Sequence, residues 1–178
     1  MKTLPMEGRV EAECQAPPDA VWKVVGDPTR TGEWSHETRS VVWVDGSVRP
    51  SVGARFRGAN RNGRFNWSRT CELTTVESPR SISWSTIRTR RFPDSTDWTI
   101  ELEPLADGGT RIVQRYRVTS INPVMNRLYW LMVPAHRDRT EALRNDLVAI
   151  GRLAGELSTS TPGETAAAPS ERGTNTGS

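Results

Sequence analysis

Two histidines, His36 and His136, are the side chains of this chain whose ordinary titration falls near neutral pH. Each is a candidate for passing a proton, and His36 stands beside a carboxylate, Glu37. Neighbours in an extended segment point opposite ways, so that adjacency makes a poor dyad. His136 falls in the first turns of a C-terminal helix, where it would face the mouth of any groove that the helix covers. A surface position is the plainer account of both. With His136, Tyr116 and Arg69 on inward-facing strand positions form the set that could act on a bound molecule, and no inward carboxylate is assigned beside them. Metal chemistry needs three or four converging ligands, which two histidines and two cysteines on separate strands do not supply, so no metal is expected. Cys14 and Cys71 read as buried thiols behaving as small hydrophobes rather than as a disulfide. No nucleophile elbow, phosphate loop or dinucleotide fingerprint occurs, and no cofactor is expected.

The elements that would position these groups are mostly strands. "RVEAECQA" sets Val10, Ala12, Cys14 and Ala16 against Arg9, Glu11, Glu13 and Gln15, a strand with one wet face. "PPDAVWKVVGD" reads as a short helix with Pro18 in its first turn, and "DPTRTGEWS" as a second, with Asp27 as N-cap and Pro28 at the first helical position. Six strands follow: "TRSVVWV", "GARFRGANR", "RFNWSRTCELTTV", "SISWSTIRTR", "TDWTIELEPL" and "TRIVQRYRVTS". Asn62-Gly63 signals a tight hairpin, and "SPRS", "FPDS" and "ADGG" mark later turns. Such short connections imply antiparallel neighbours.

Alternation also assigns faces. Trp98, Ile100 and Leu102 share one parity, as do Ile112, Gln114, Tyr116 and Val118, then Ile82, Trp84 and Thr86, and Phe65, Trp67, Arg69, Cys71 and Leu73. A bulge would move Arg69. The C-terminal segment recurs at helical spacing through Leu143, Leu147, Ile150, Ala154 and Leu157, with Arg137, Asp138, Glu141, Arg144, Asp146 and Arg152 on the other side. Before it, "NPVMNRLYWLMV" is the most apolar stretch of the chain, and its "LYWLMV" is a buried lead-in or, as the alternative, a lid or membrane-touching segment beside a cavity entrance. The fold class is therefore α+β: a seven-stranded curved antiparallel sheet around one long helix, with two short helices after the first strand. One helix cannot fill so much concave surface. The surplus becomes large side chains or a cavity.

The chain of 178 residues suits one domain, here 8–157, after a flexible stretch 1–7 and before a tail, 158–178, too poor in apolar side chains to order. Net charge is only +3, and the arginines are scattered instead of gathered on one face, which argues against nucleic acid as a partner. Arg111, Arg115 and Arg117 form a strip on the outer face, facing Glu101 and Glu103; an acidic protein would suit it better than DNA. No apolar run reaches the roughly 18 residues of a membrane span, so no stable insertion is expected, only transient surface contact. "MKTLPMEGRVEAEC" carries no apolar core of a secretory signal, and a cytoplasmic location is the expectation.

Three blocks in order, "PPDAVWKVVGDPTRTGEWSHE", "GARFRGANRNGRFNWSRTCEL" with "SPRSISWST", and "HRDRTEALRNDLVAIGRLAGEL", resemble the START-like SRPBCC superfamily, in particular its polyketide cyclase/dehydrase and lipid-transport branch. The resemblance spans about residues 8 to 157 and implies a helix-grip fold with a deep pocket between sheet and helix. It implies binding of hydrophobic or polycyclic molecules, lipid- or polyketide-like, as a carrier or sequestering protein. The alternative it leaves open is a cyclase/aromatase or dehydratase acting in the same pocket. Seven tryptophans suit such a pocket, each offering a large rigid apolar surface and one donor. Trp34, at the corner between short helix and strand, would form one end wall, and Trp67, Trp84 and Trp98 the floor. Phe56, Ile100, Leu143 and Leu147 are the further apolar candidates, and Asn60, Arg69, Thr86, Gln114 and Tyr116 the polar ones that would orient a ligand.

Overall fold

Period-two alternation becomes a single sheet because every connection after the second strand is short enough for neighbours to pair. The computed structural model describes residues 2–160. Its strands are β1 (Glu7–Cys14), β2 (Thr38–Val44), β3 (Arg55–Asn62), β4 (Phe65–Glu77), β5 (Ser81–Thr86), β6 (Ser95–Pro104) and β7 (Thr110–Ser120). They form one seven-stranded antiparallel sheet in the order β1-β7-β6-β5-β4-β3-β2. This is an α+β helix-grip fold. The short helix α1 (Pro18–Val25) and a 3-10 helix (Pro28–Glu33) link β1 to β2, and Asp27 caps the latter by accepting the Thr29 N–H at 2.9 Å. The β3–β4 hairpin turns on Gly63 and Arg64, one residue later than Asn62-Gly63 implies; Asn62 pairs with Phe65, and Gly63 takes the positive φ of 58°.

The C-terminal helical region differs from a single long helix. It is divided into α2 (Pro123–Met132), a 3-10 turn (Pro134–His136) and α3 (Thr140–Thr159). Pro134 disfavours helical geometry at the residue before it, and Val133 adopts φ −124°, ψ 75°, ending α2 there. Asp138 then accepts the Thr140 N–H at 2.9 Å and opens α3. His136 is thus not in the first turns of the long helix but in the link before it. Nor is α2 a buried lead-in: Val124 is 75% exposed, and Leu128, Leu131 and Met132 are exposed too. Met125, Leu128, Tyr129 and Met132 line the cavity between α2 and the sheet. The Asn126 side chain, accepting the Leu4 N–H at 2.7 Å, ties α2 to the segment entering β1.

Leu143, Leu147, Ile150 and Ala154 bury α3 against the sheet and α1. Gly151 lets the helix approach β1, since a methyl there would lie 2.7 Å from Cys14 Cβ. Asp146, assigned from charge to the wet side, is 4% exposed and belongs to the inner side. Thr159 closes α3, so the first residues of the expected tail are helical, while 161–178 lie outside the described residues. β5 ends at Thr86, short of the expected Arg90. A register shift in the β4–β5 pairing falls after Leu73, beyond Arg69, which therefore keeps the parity of Trp67 and Cys71. On the outer face Arg111 pairs with Glu13 at 2.8 Å and Arg115 with Glu101, neutralising much of the basic strip.

Candidate functional site

Register builds an aromatic shelf. Tyr116 on β7 stands opposite Trp98 on β6, which stands opposite Trp84 on β5. Side chains of directly opposed residues on one face must touch. The Trp84 and Trp98 rings lie parallel within 9° with centroids 6.3 Å apart, and Trp98 meets Tyr116 at 5.2 Å. Phe56 on β3 continues the row at 6.5 Å from Trp84, backed by Trp43 at 6.2 Å. Gly8 opposes Tyr116 on β1, and a methyl at Gly8 would lie 2.4 Å from the Tyr116 ring; the tyrosine lies over bare backbone. Trp84 and Trp98 remain half-buried although they lie on the core face of the sheet, because they border a cavity of about 570 Å³ between sheet, α2 and α3.

Of the sequence-derived ligand candidates, Trp34, Phe56, Asn60, Trp67, Arg69, Trp84, Thr86, Trp98, Ile100, Gln114, Tyr116 and Leu143 line that cavity. Leu147 does not; it is fully buried in the core one helical turn further on. Tyr116, Arg69 and His136 all border the cavity, yet each is engaged with a different neighbour, and no hydrogen bond joins them. Cys71 lies on the wall, and burial pushes its thiol up to about 12, so it is no nucleophile.

Three carboxylates, Asp94 and Asp146 buried and Glu37 largely so, none assigned to the interior from sequence, organise the polar groups. Glu37 accepts from His136 Nε2 and from the Asn62 amide at 3.1 Å. Burial works against its charge, but those hydrogen bonds and the charges of His136 and Arg139 outweigh that and hold the carboxyl at about 2. Asp146 on α3 accepts both the backbone N–H and Nδ1 of His36, each at 2.8 Å. That hydrogen bond raises the His36 pKa above its ordinary value, against burial. Asp94, before β6, takes Arg69 Nη1 at 2.7 Å on its carboxylate and Nη2 at 2.9 Å on its carbonyl, and the Tyr129 hydroxyl of α2 lies 3.4 Å away. The Arg69 guanidinium also lies 5.1 Å from the Phe92 ring. His136 is therefore not a surface group, and His36, 32% exposed, is only partly one: His36 clasps the β2 corner to α3, and His136 clasps the link after α2 to that corner.

Asp146 was legible after all, standing three residues beyond Leu143 and four before Ile150 on the apolar stripe; Arg139, four before Leu143, shares it. Glu37 and Asp94 sit at irregular corners where no period applies. Two side chains over nine-tenths buried are left with a polar atom unpartnered, Trp34 Nε1 at 7% and Gln114 Oε1 at 4% residue exposure, and both residues line the cavity. Among the described residues no group of three or more histidine, cysteine or acidic side chains is placed to hold a metal ion, and no helix is long and apolar enough to cross a membrane.

The fold is a START-like helix grip with an open, aromatic-lined interior. The chain belongs to the polyketide cyclase/dehydrase and lipid transport family, whose model matches residues 6–147. Solved structures agree in fold. Protein NE0264 from Nitrosomonas europaea is 16% identical with a TM-score of 0.61, covering 86% of this chain and 97% of its own. TTHA0849 from Thermus thermophilus is 19% identical with a TM-score of 0.61, covering 87% and 99%. The polyketide-cyclase-like protein Cgl2372 from Corynebacterium glutamicum is 25% identical with a TM-score of 0.56, covering 89% and 96%. A comparison with curated proteins found no significant match.

Proposed function

We propose that the chain binds a hydrophobic or polycyclic small molecule, lipid- or polyketide-like, between sheet and α3, and carries or sequesters it. The observation behind this reading is the shelf of Tyr116, Trp98 and Trp84, which lines about 570 Å³ of cavity where a closed core would have filled the space. That volume is in the range of small-molecule sites, roughly 300–1,000 Å³. Burial of apolar ligand surface contributes about 25 cal/mol per Å², and flat indole walls favour planar rings through stacking. Family membership is consistent with this.

The test is a titration with N-phenyl-1-naphthylamine, a neutral planar probe that brightens in apolar surroundings. Saturable binding at one site, with matching loss of tryptophan emission, is the expected result. Absence of binding by a cooperatively melting protein would overturn the reading. Native mass spectrometry of protein from its source cells would then identify the retained molecule.

One arrangement favours a second reading, a cyclase/aromatase or dehydratase. His136 lies at the cavity wall with its Nε2 on the ionised Glu37, and a carboxylate-oriented imidazole is equipped to move a proton. Turnover of a linear polyketide analogue, lost in H136Q but with probe binding intact, would support it; turnover unchanged in H136Q would count against it.

A further inference from the structure

The charges around the cavity do not pair off. Asp94 has Arg69, Asp146 has His36, and Glu37 has His136 and Asn62. Arg91 lies at the exposed rim against Phe92. Arg139, in the residue before α3, is left over. Among the described residues it has no carboxylate within 4.0 Å, and Glu37, whose field it feels, is already taken. Its guanidinium carbon lies 5.7 Å from the Tyr116 ring and 5.9 Å from the Trp98 ring, so the cation stands at the head of the aromatic shelf. Ring faces attract a cation but cannot accept the in-plane hydrogen bonds of its five N–H groups.

Three residues that line the same cavity hold a buried polar atom without a partner, Arg69 at Nε among them. Trp34 Nε1 is another donor without an acceptor, and Gln114 Oε1 an acceptor without a donor, two residues from Tyr116 on the same face of β7. Water can serve the Arg139 guanidinium while the cavity is wet. A wholly apolar ligand would expel that water and strand a desolvated guanidinium, a heavy penalty. An oxyanion would meet its planar fork with two charge-assisted hydrogen bonds.

We infer that the ligand is an amphipathic anion: a planar apolar body lying along Trp98 and Trp84, with a carboxylate or chemically similar oxyanion on Arg139. This rests on the cavity being a ligand site, and the test separates the two claims. Two probes share one ring system, 1-anilinonaphthalene-8-sulfonate with the anion and N-phenyl-1-naphthylamine without it. Titrated into the full chain at neutral pH, the sulfonate is expected to bind about tenfold tighter or better, the range of a charged hydrogen bond. R139Q is expected to abolish that preference while leaving the neutral probe within roughly threefold. R144Q, a charge loss on the exposed side of α3 outside the cavity, is expected to preserve it. Equal affinities in the wild type, or a preference surviving R139Q, would overturn the inference and leave the site standing. Failure of both probes would overturn the site itself. Should R139Q not fold, the wild-type protein still decides: the Arg139 Nε–H resonance must shift with the sulfonate and not with the neutral probe, and an unmoved resonance under saturating sulfonate refutes the assignment.

Discussion

Replacing Glu37 by glutamine tests whether the polar end of the cavity is a real charge arrangement. In the folded chain this carboxyl titrates at about 2, against an ordinary value of 4.5. A group whose folded value is depressed contributes stability that is fully present above its unfolded value and lost as pH falls toward the folded one. The difference amounts to about 3 kcal/mol at neutral pH, of which roughly 2 kcal/mol is gone by about pH 3. Urea denaturation followed by tryptophan emission reads this directly at pH 7 and pH 3. Other carboxylates titrate in both proteins, so the quantity to follow is the gap between wild type and E37Q. It should be widest at pH 7 and narrow by about 2 kcal/mol at pH 3. A gap near zero at pH 7, or one that stays constant with pH, would refute the arrangement of Glu37 with His136, Asn62 and Arg139.

Three further outcomes follow from the geometry. His36, raised by Asp146, contributes stability present below its ordinary 6.5 and lost as pH climbs through its higher folded value; thermal melts should fall over that window in wild type and not in H36Q, and its ring resonances should titrate above 6.5. R69M leaves the Asp94 carboxylate, 12% exposed, without its cation and should destabilise by about 3–5 kcal/mol in urea, whereas R69M with D94N should recover much of that loss. W98A removes the middle of the shelf between Trp84 and Tyr116 and should weaken the neutral naphthylamine about tenfold in the same titration, with the fold retained.

The shelf was legible in the sequence because strand period is two: parity alone put Trp84, Trp98, Gln114 and Tyr116 on one face, and pairing then aligned them. Helical period was equally informative but was overridden by residue type, since Asp146 lies on the stripe of Leu143 and Ile150 and was set outside for its charge. Charge is a poor guide to burial when a partner such as His36 arrives from a segment more than a hundred residues away. Glu37 and Asp94 could not be read at all, because irregular corners have no period and their partners are fixed only by tertiary packing. The exposed α2 was misread for the opposite reason. An apolar stretch ahead of a helix resembles core, but Pro134 ends it early, and Val124 and Leu131 stand in water.

The central claim, that indole faces border a space which takes a ligand, is tested most directly by a crystal structure with N-phenyl-1-naphthylamine. The naphthalene is expected against Trp84 and Trp98, inside the sheet and beneath α2. Density for the probe only on the outer surface, or a free structure whose interior side chains have closed the space, would contradict it.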